Sequence, residues 1–251
     1  MVTLRLVDVG VRYGRRPVLS GITTPEIAGG TVTAVIGPNA TGKSSLFRRI
    51  AGLLEGPGEV RVSDPRPDAV CYMPQDTAAN TVLTVYESVL LARKQRTGWS
   101  VAERDLVAVD AALDRLRIRD LAFRGLGELS GGQRQLVSLA QTIVREPSVV
   151  LLDEPTSALD LHRQIEVVDL IRSLARERGL CALVALHDLA LASRLADGVI
   201  VLSDGRMHAC GPAREVITDH MLRTVYRVDG RVSQAPSGRL AIEIHGALDA
   251  A

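Results

Sequence analysis

Short apolar runs rich in β-branched residues alternate along this chain with stretches whose apolar residues recur every three or four positions. The runs Thr31–Ile36, Ala69–Met73, Ser148–Asp153, Cys181–Leu186 and Val199–Leu202 have the length and composition of buried strands. Between them, apolar residues fall on single helical faces: Leu46, Ile50 and Leu53; then Leu106, Val109, Leu113 and Leu116 within 101–117; then Leu136, Leu139 and Ile143; and last Ile165, Val168, Ile171 and Ala175. A further helix is predicted over 84–94. The pattern predicts an α/β fold, a mostly parallel sheet with flanking helices.

Two regions depart from it. Residues 2–36 read as strands and turns, with alternation from Leu4 to Leu6, a Gly14-Arg15-Arg16-Pro17 turn and Ala28-Gly29-Gly30, which predicts an N-terminal antiparallel β subdomain. From about 76 to 145 the pattern is mostly helical, broken at Thr97-Gly98-Trp99, and reads as an insertion into the α/β core. Trp99 suits either packing or a partner contact. The core unit is expected over 2–212. Residues 213–251 form a small appendage, with helices near 213–225, strands at 228–233 and 240–244 and a weakly ordered end.

With 46% hydrophobic and 3% aromatic residues, the core of this 251-residue chain must be mostly Val, Leu, Ile and Ala. A net charge of +1 argues against a dedicated nucleic-acid binder. Three widely spaced cysteines, Cys71, Cys181 and Cys210, suggest a reducing compartment without a disulfide framework or zinc site. Arginines and an aspartate interrupt the N-terminus, so no signal peptide is expected, and no apolar run approaches a membrane span. These features predict a cytosolic protein able to sit on a membrane partner.

The candidate chemistry lies at the ends of the predicted strands. Gly37-Pro38-Asn39-Ala40-Thr41-Gly42-Lys43-Ser44, followed by Ser45, fits G-x-x-x-x-G-K-[ST] between a strand and a helix, the setting in which backbone N–H groups and the helix dipole hold phosphate. Of 30 basic residues only Lys43 and Lys94 are lysines, so Lys43 stands out where a slim point charge must reach the β/γ-phosphates. Asp153 and Glu154 end an apolar run, where paired acids are costly unless used. Asp153 is suited to Mg²⁺ and Glu154 to deprotonating water. Gln75 and His187 close two other strands, at the edge where open parallel sheets gather ligand groups. Ser130-Gly131-Gly132-Gln133 opens a helix with a good N-cap and two glycines, either a plain cap or a second anion site. One nucleotide does not need both sites, which points to a nucleotide on another subunit. Asp160 begins the next helix favourably. Tyr13 is either a strand-end aromatic or a platform for a base.

Together these residues resemble the nucleotide-binding subunits of ATP-binding-cassette (ABC) transporters over nearly the whole chain. Gly37–Ser44 and Val149–Asp153 match the Walker A and Walker B motifs of that P-loop NTPase fold, and Leu129–Gln133 reads LSGGQ, the family signature. Gln75 matches the Q-loop, Ser157–Asp160 the D-loop, His187 the switch histidine and Tyr13 the adenine-stacking aromatic. The resemblance implies ATP and Mg²⁺ as cofactors, with Ser44, Gln75 and Asp153 toward the metal and Glu154, Gln75 and His187 in hydrolysis. It implies a head-to-tail homodimer in which Lys43, Ser44 and Glu154 of one subunit share each ATP with Ser130 and Gly132 of the other. It further implies integral-membrane permease subunits at the cytoplasmic face of the membrane, a substrate-binding protein engaged indirectly, and no nucleic acid. Ala40 departs from the glycine common in the family and would carry a cost if that position needs a positive φ. Ala158–Gln164, Leu186–Ala190 and the Val199–Gly211 hairpin look most like importers of iron-siderophore, haem or vitamin B12. The competing readings are a soluble ABC-type ATPase acting on DNA or ribosomes, and a small-molecule kinase or GTPase. Against the first stand the single cassette, the absence of heptads and the near-zero charge. Against the second stand the full signature and the absence of N-K-x-D.

Overall fold

Burial on both faces defines the centre of the molecule. In a computed structural model, which describes residues 1–75, 82–95, 98, 100–236 and 238–248, β5 (Val32–Ile36), β8 (Val149–Asp153) and β9 (Cys181–Ala185) are buried at every residue. They belong to a six-stranded sheet ordered β11-β10-β5-β9-β8-β7, with β7 at Val70–Met73, β10 at Gly198–Ser203 and β11 at Arg206–Gly211. Neighbours from β10 to β7 are parallel, and β11 closes one edge as the antiparallel arm of the Asp204-Gly205 hairpin. Strands covered on both sides must be apolar throughout, which is why these runs show no polar alternation.

The period-2 pleat then sorts successive residues into two cores. Val150, Leu152, Ala182 and Val184 face one layer, whereas Val149, Leu151, Cys181 and Leu183 face the other. On the second face lie α1 (Lys43–Ile50) and the N-terminal strands β1 (Thr3–Val7), β2 (Val9–Tyr13) and β3 (Arg16–Ile22). β1 pairs antiparallel with β4 (Ile27–Ala28) and β6 (Glu59–Val62), and β2 with β3, as the alternation near the N-terminus predicts.

On the first face lie α4 (Gly131–Ile143), α5 (Leu161–Arg178) and α6 (Leu189–Leu195). Between β7 and β8 the described residues run mainly through helices, α2 (Val85–Lys94), α3 (Glu103–Arg115) and α4. Thr84 and Glu87 form a reciprocal cap on α2. Lys94 is here a structural cation, 3.0 Å from the buried Asp105 of α3. Asp76 and Trp99 lie outside the described residues.

Two predicted stripes need correction. α1 ends at Ile50 and the chain turns through Gly52 at φ 71°, so Leu53 is 63% exposed, and Phe47 takes the core position beside Leu46. On α3 the inward face is Asp105, Val109, Ala112 and Leu113, which turns Leu106 toward solvent. At the C-terminus α7 (Ala213–Val216), α8 (Asp219–Met221) and a π-helical turn over Leu222–Tyr226 precede a hairpin of β12 (Val228–Gln234) and β13 (Leu240–Ala247) that packs on α6.

Phe47 is fully buried between the sheet and the N-terminal strands. Phe47→Ala is expected to lower the unfolding free energy by about 3–5 kcal/mol, seen as a lower denaturant midpoint at unchanged slope.

Candidate functional site

Because β5, β9, β8 and β7 are adjacent and parallel, their carboxyl ends form one edge, and the residues that leave each strand meet there. After β5 comes the glycine loop 37–42, after β9 His187, after β7 Gln75, and at the end of β8 Asp153 and Glu154. The cleft at this edge, about 620 Å³, is lined by residues 39–45 with Val18, Gln75, Glu154 and His187, whereas Asp153 is buried and does not line it.

The loop is shaped by backbone need. Gly37 has φ 148°, and a β-carbon there would fall 2.2 Å from the Leu202 carbonyl oxygen. Gly42 has φ 101°, and its β-carbon would meet Leu19 at 2.6 Å. Ala40 sits at φ 62° and bears the strain that glycine would avoid. Lys43 is 6% exposed, and its ammonium donates to the carbonyls of Gly37 at 2.7 Å and Pro38 at 3.0 Å. Burial lowers its pKa, opposed by the nearby charges of Glu154 and Asp153.

Glu154 lies at the centre of the edge. Gln75 donates to its Oε2 at 2.8 Å, and the His187 Nε2 hydrogen-bonds its Oε1. Its backbone has φ 53°, a conformation held by its N–H to the Ala185 carbonyl and by Gln135, whose amide donates to its carbonyl at 2.6 Å. Asp153 is 1% exposed; its Oδ2 accepts from the Tyr72 hydroxyl at 3.0 Å, while its Oδ1 is buried without a partner. Among the described residues there is no cluster of three or more His, Cys, Asp or Glu side chains able to enclose a metal. Magnesium needs no such cluster: one or two protein ligands beside phosphate and water suffice. The free Oδ1 fits that pattern.

Residues 23–157 match the ABC transporter family. A hemin import ATP-binding protein of Bradyrhizobium diazoefficiens is 36% identical over 243 residues, covering 89% of this chain and 88% of that protein. A siderophore transport system ATP-binding protein of Bacillus subtilis is 35% identical over 250 residues, covering 94% of this chain and 90% of its own. The chain belongs to the ABC transporter ATPases. Among solved structures, an inward-facing metal-chelate type ABC transporter superposes with a TM-score of 0.85 at 25% identity over 99% of both chains. The fold is accordingly that of an ATP-binding cassette, and the reading as a kinase or GTPase falls away.

The remaining predicted residues of this ABC ATPase lie around the cleft or apart from it. Tyr13, at the end of β2, is 45% exposed, with its hydroxyl 3.5 Å from Ser45 Oγ. Ser130–Gln133 do not line the cleft. Ser130 and Gln133 cap α4 reciprocally, and Gly132 lies so close to the Ala158 carbonyl that a β-carbon would fall 2.8 Å from it. Asp160 caps α5 by accepting from the Arg163 N–H at 2.9 Å. A larger crevice of about 1,130 Å³ beside the C-terminal hairpin holds neither a phosphate loop nor a Glu–His pair.

The predicted set lacks Gln135, 3% exposed, which also donates to Ser157 Oγ and accepts from the Ala158 N–H. Its signal was a polar side chain on the buried stripe of Gly132, Leu136 and Leu139. Ala40→Gly is expected to raise the unfolding free energy by about 0.5–1 kcal/mol, the relieved left-handed strain less the added freedom of the unfolded glycine chain, as measured by denaturant titration.

Proposed function

We propose that this chain is the motor of a metal-chelate importer, of iron-siderophore, haem or cobalamin type, working as a head-to-tail pair on the cytoplasmic side of membrane-embedded permease subunits. The observation that carries the reading is the separation of two anion-binding elements. The cleft holds the phosphate loop and Glu154, while the capped helix start at Ser130, with its glycines, lies outside that cleft. A second copy would bring its own Ser130 and Gly132 to the first copy's nucleotide. The two relatives named for hemin import and siderophore transport support the substrate class, which the permease and an external binding protein would select.

Within each site, the loop N–H groups of residues 39–45 cradle the phosphates, and Lys43 leaves the Gly37 and Pro38 carbonyls to meet them. Tyr13 stacks on the adenine, and Asp160 stands where the two copies meet. Ser44, Gln75 and Asp153 would hold Mg²⁺, which would supply positive charge against that building on the phosphates. Glu154 accepts a proton from the attacking water while His187 orients that water and the terminal phosphate. Gln75 and His187 already occupy both Glu154 oxygens, so nucleotide and water must exchange these contacts for their own. In the helical segment Phe123, 86% exposed, stacks on Tyr86, an aromatic pair suited to a permease contact.

Glu154→Gln is expected to slow phosphate release by about 10²–10⁴-fold while keeping ATP bound and the pair closed, as read by phosphate assay and gel filtration with ATP. Ser130→Arg should abolish hydrolysis with single-chain nucleotide binding intact; loss of binding as well would remove the shared-site reading. Purification of the tagged chain from detergent-solubilised cells should bring a polytopic permease with it. Recovery with ribosomes or DNA-repair proteins would instead favour a soluble ATPase.

A further inference from the structure

The carboxylate beside the phosphate loop is steadied by side chains that belong to none of the motifs. Tyr72 lies on β7, opposite Leu151 in the parallel pairing with β8, and reaches across to Asp153 Oδ2. The Arg48 guanidinium of α1 holds its proton more tightly than usual, chiefly because of the neighbouring Tyr72 hydroxyl and then that of Tyr13. A phenol has one proton to donate. Tyr72 donates it to Asp153, so toward the nearby Arg48 guanidinium its oxygen can act only as an acceptor.

The consequence falls on the oxygen that is not bonded. A carboxylate free to rotate would offer either oxygen to a cation or its water. The bond from Tyr72 to Oδ2 fixes the rotation, and Oδ1 is the atom left buried and unpartnered. We propose that Tyr72, backed by Arg48, is a positioning residue that fixes the rotation of Asp153 and so sets the affinity of the cleft for its divalent cation. The proposal rests on the reading of Asp153 as the metal-side carboxylate. Outer groups that orient a metal-side ligand typically govern affinity by about 10–100-fold.

A merely structural Tyr72 would cost stability when truncated but leave metal affinity alone, so the test reads the metal directly. Mn²⁺ is titrated into the full chain saturated with a non-hydrolysable ATP analogue, and free Mn²⁺ is followed by electron paramagnetic resonance. Tyr72→Phe, which keeps the ring and removes the hydroxyl, is expected to weaken Mn²⁺ binding by about 10-fold or more, with nucleotide binding in EDTA unchanged. Arg48→Met should weaken it in the same direction by less, and it carries the test alone should Tyr72→Phe not fold. Asp153→Asn separates the two claims. If it loses Mn²⁺ while Tyr72→Phe and Arg48→Met retain wild-type affinity, the positioning role is overturned and the reading of Asp153 stands. If Asp153→Asn retains full Mn²⁺ affinity, the reading of Asp153 fails and the proposal with it.

Discussion

The bonds that converge on Glu154 are the constraint on which the rest of the site depends. Its carboxylate is held by Gln75 and His187, its carbonyl by Gln135 and its N–H by Ala185, so the ends of three parallel strands and the helix after the signature all meet in one residue. These contacts keep the residue at a positive φ that a side chain other than glycine rarely adopts. Strain of this kind persists only where the surroundings over-determine it. The sheet supplies that rigidity because β8 and β9 are buried on both faces and packed into two separate cores.

The same arrangement links distant parts of the cassette. Gln135 lies one turn into the helix that Ser130 caps, and it binds both the Glu154 carbonyl and the Ala158 N–H. A displacement of the helix start would therefore reach Glu154 through a single side chain. This is a contiguous physical connection, and it would bias the position of Glu154 if its partner moved.

Much of this was legible in the sequence because the site residues close apolar runs. A run read as a buried parallel strand places the residues at its end on the carboxyl edge, so Gly37–Ser45, Gln75, Asp153, Glu154 and His187 could be brought together without coordinates. The cost foreseen at Ala40 appears as its positive φ. Other features were hidden for identifiable reasons. Gln135 stands out only as a polar residue on a buried helix face; its partners, the Glu154 carbonyl, the Ser157 hydroxyl and the Ala158 N–H, leave no trace in the pattern. Tyr72 reaches Asp153 across a strand pair whose members lie far apart in the chain. Leu53 and Leu106 fit a helical period that ignores where α1 stops and which side of α3 faces inward.

The central claim is that each hydrolytic site is built from two copies, the phosphate loop of one and the signature helix of the other. Mixing Lys43→Ala chains with Ser130→Arg chains tests it most directly. In a mixed pair, both lesions fall in one site and leave the other intact. Phosphate release should therefore appear in the mixture and be absent from either variant alone. A mixture as silent as its components, with mixed pairs demonstrated by co-purification of two different tags, would contradict the account.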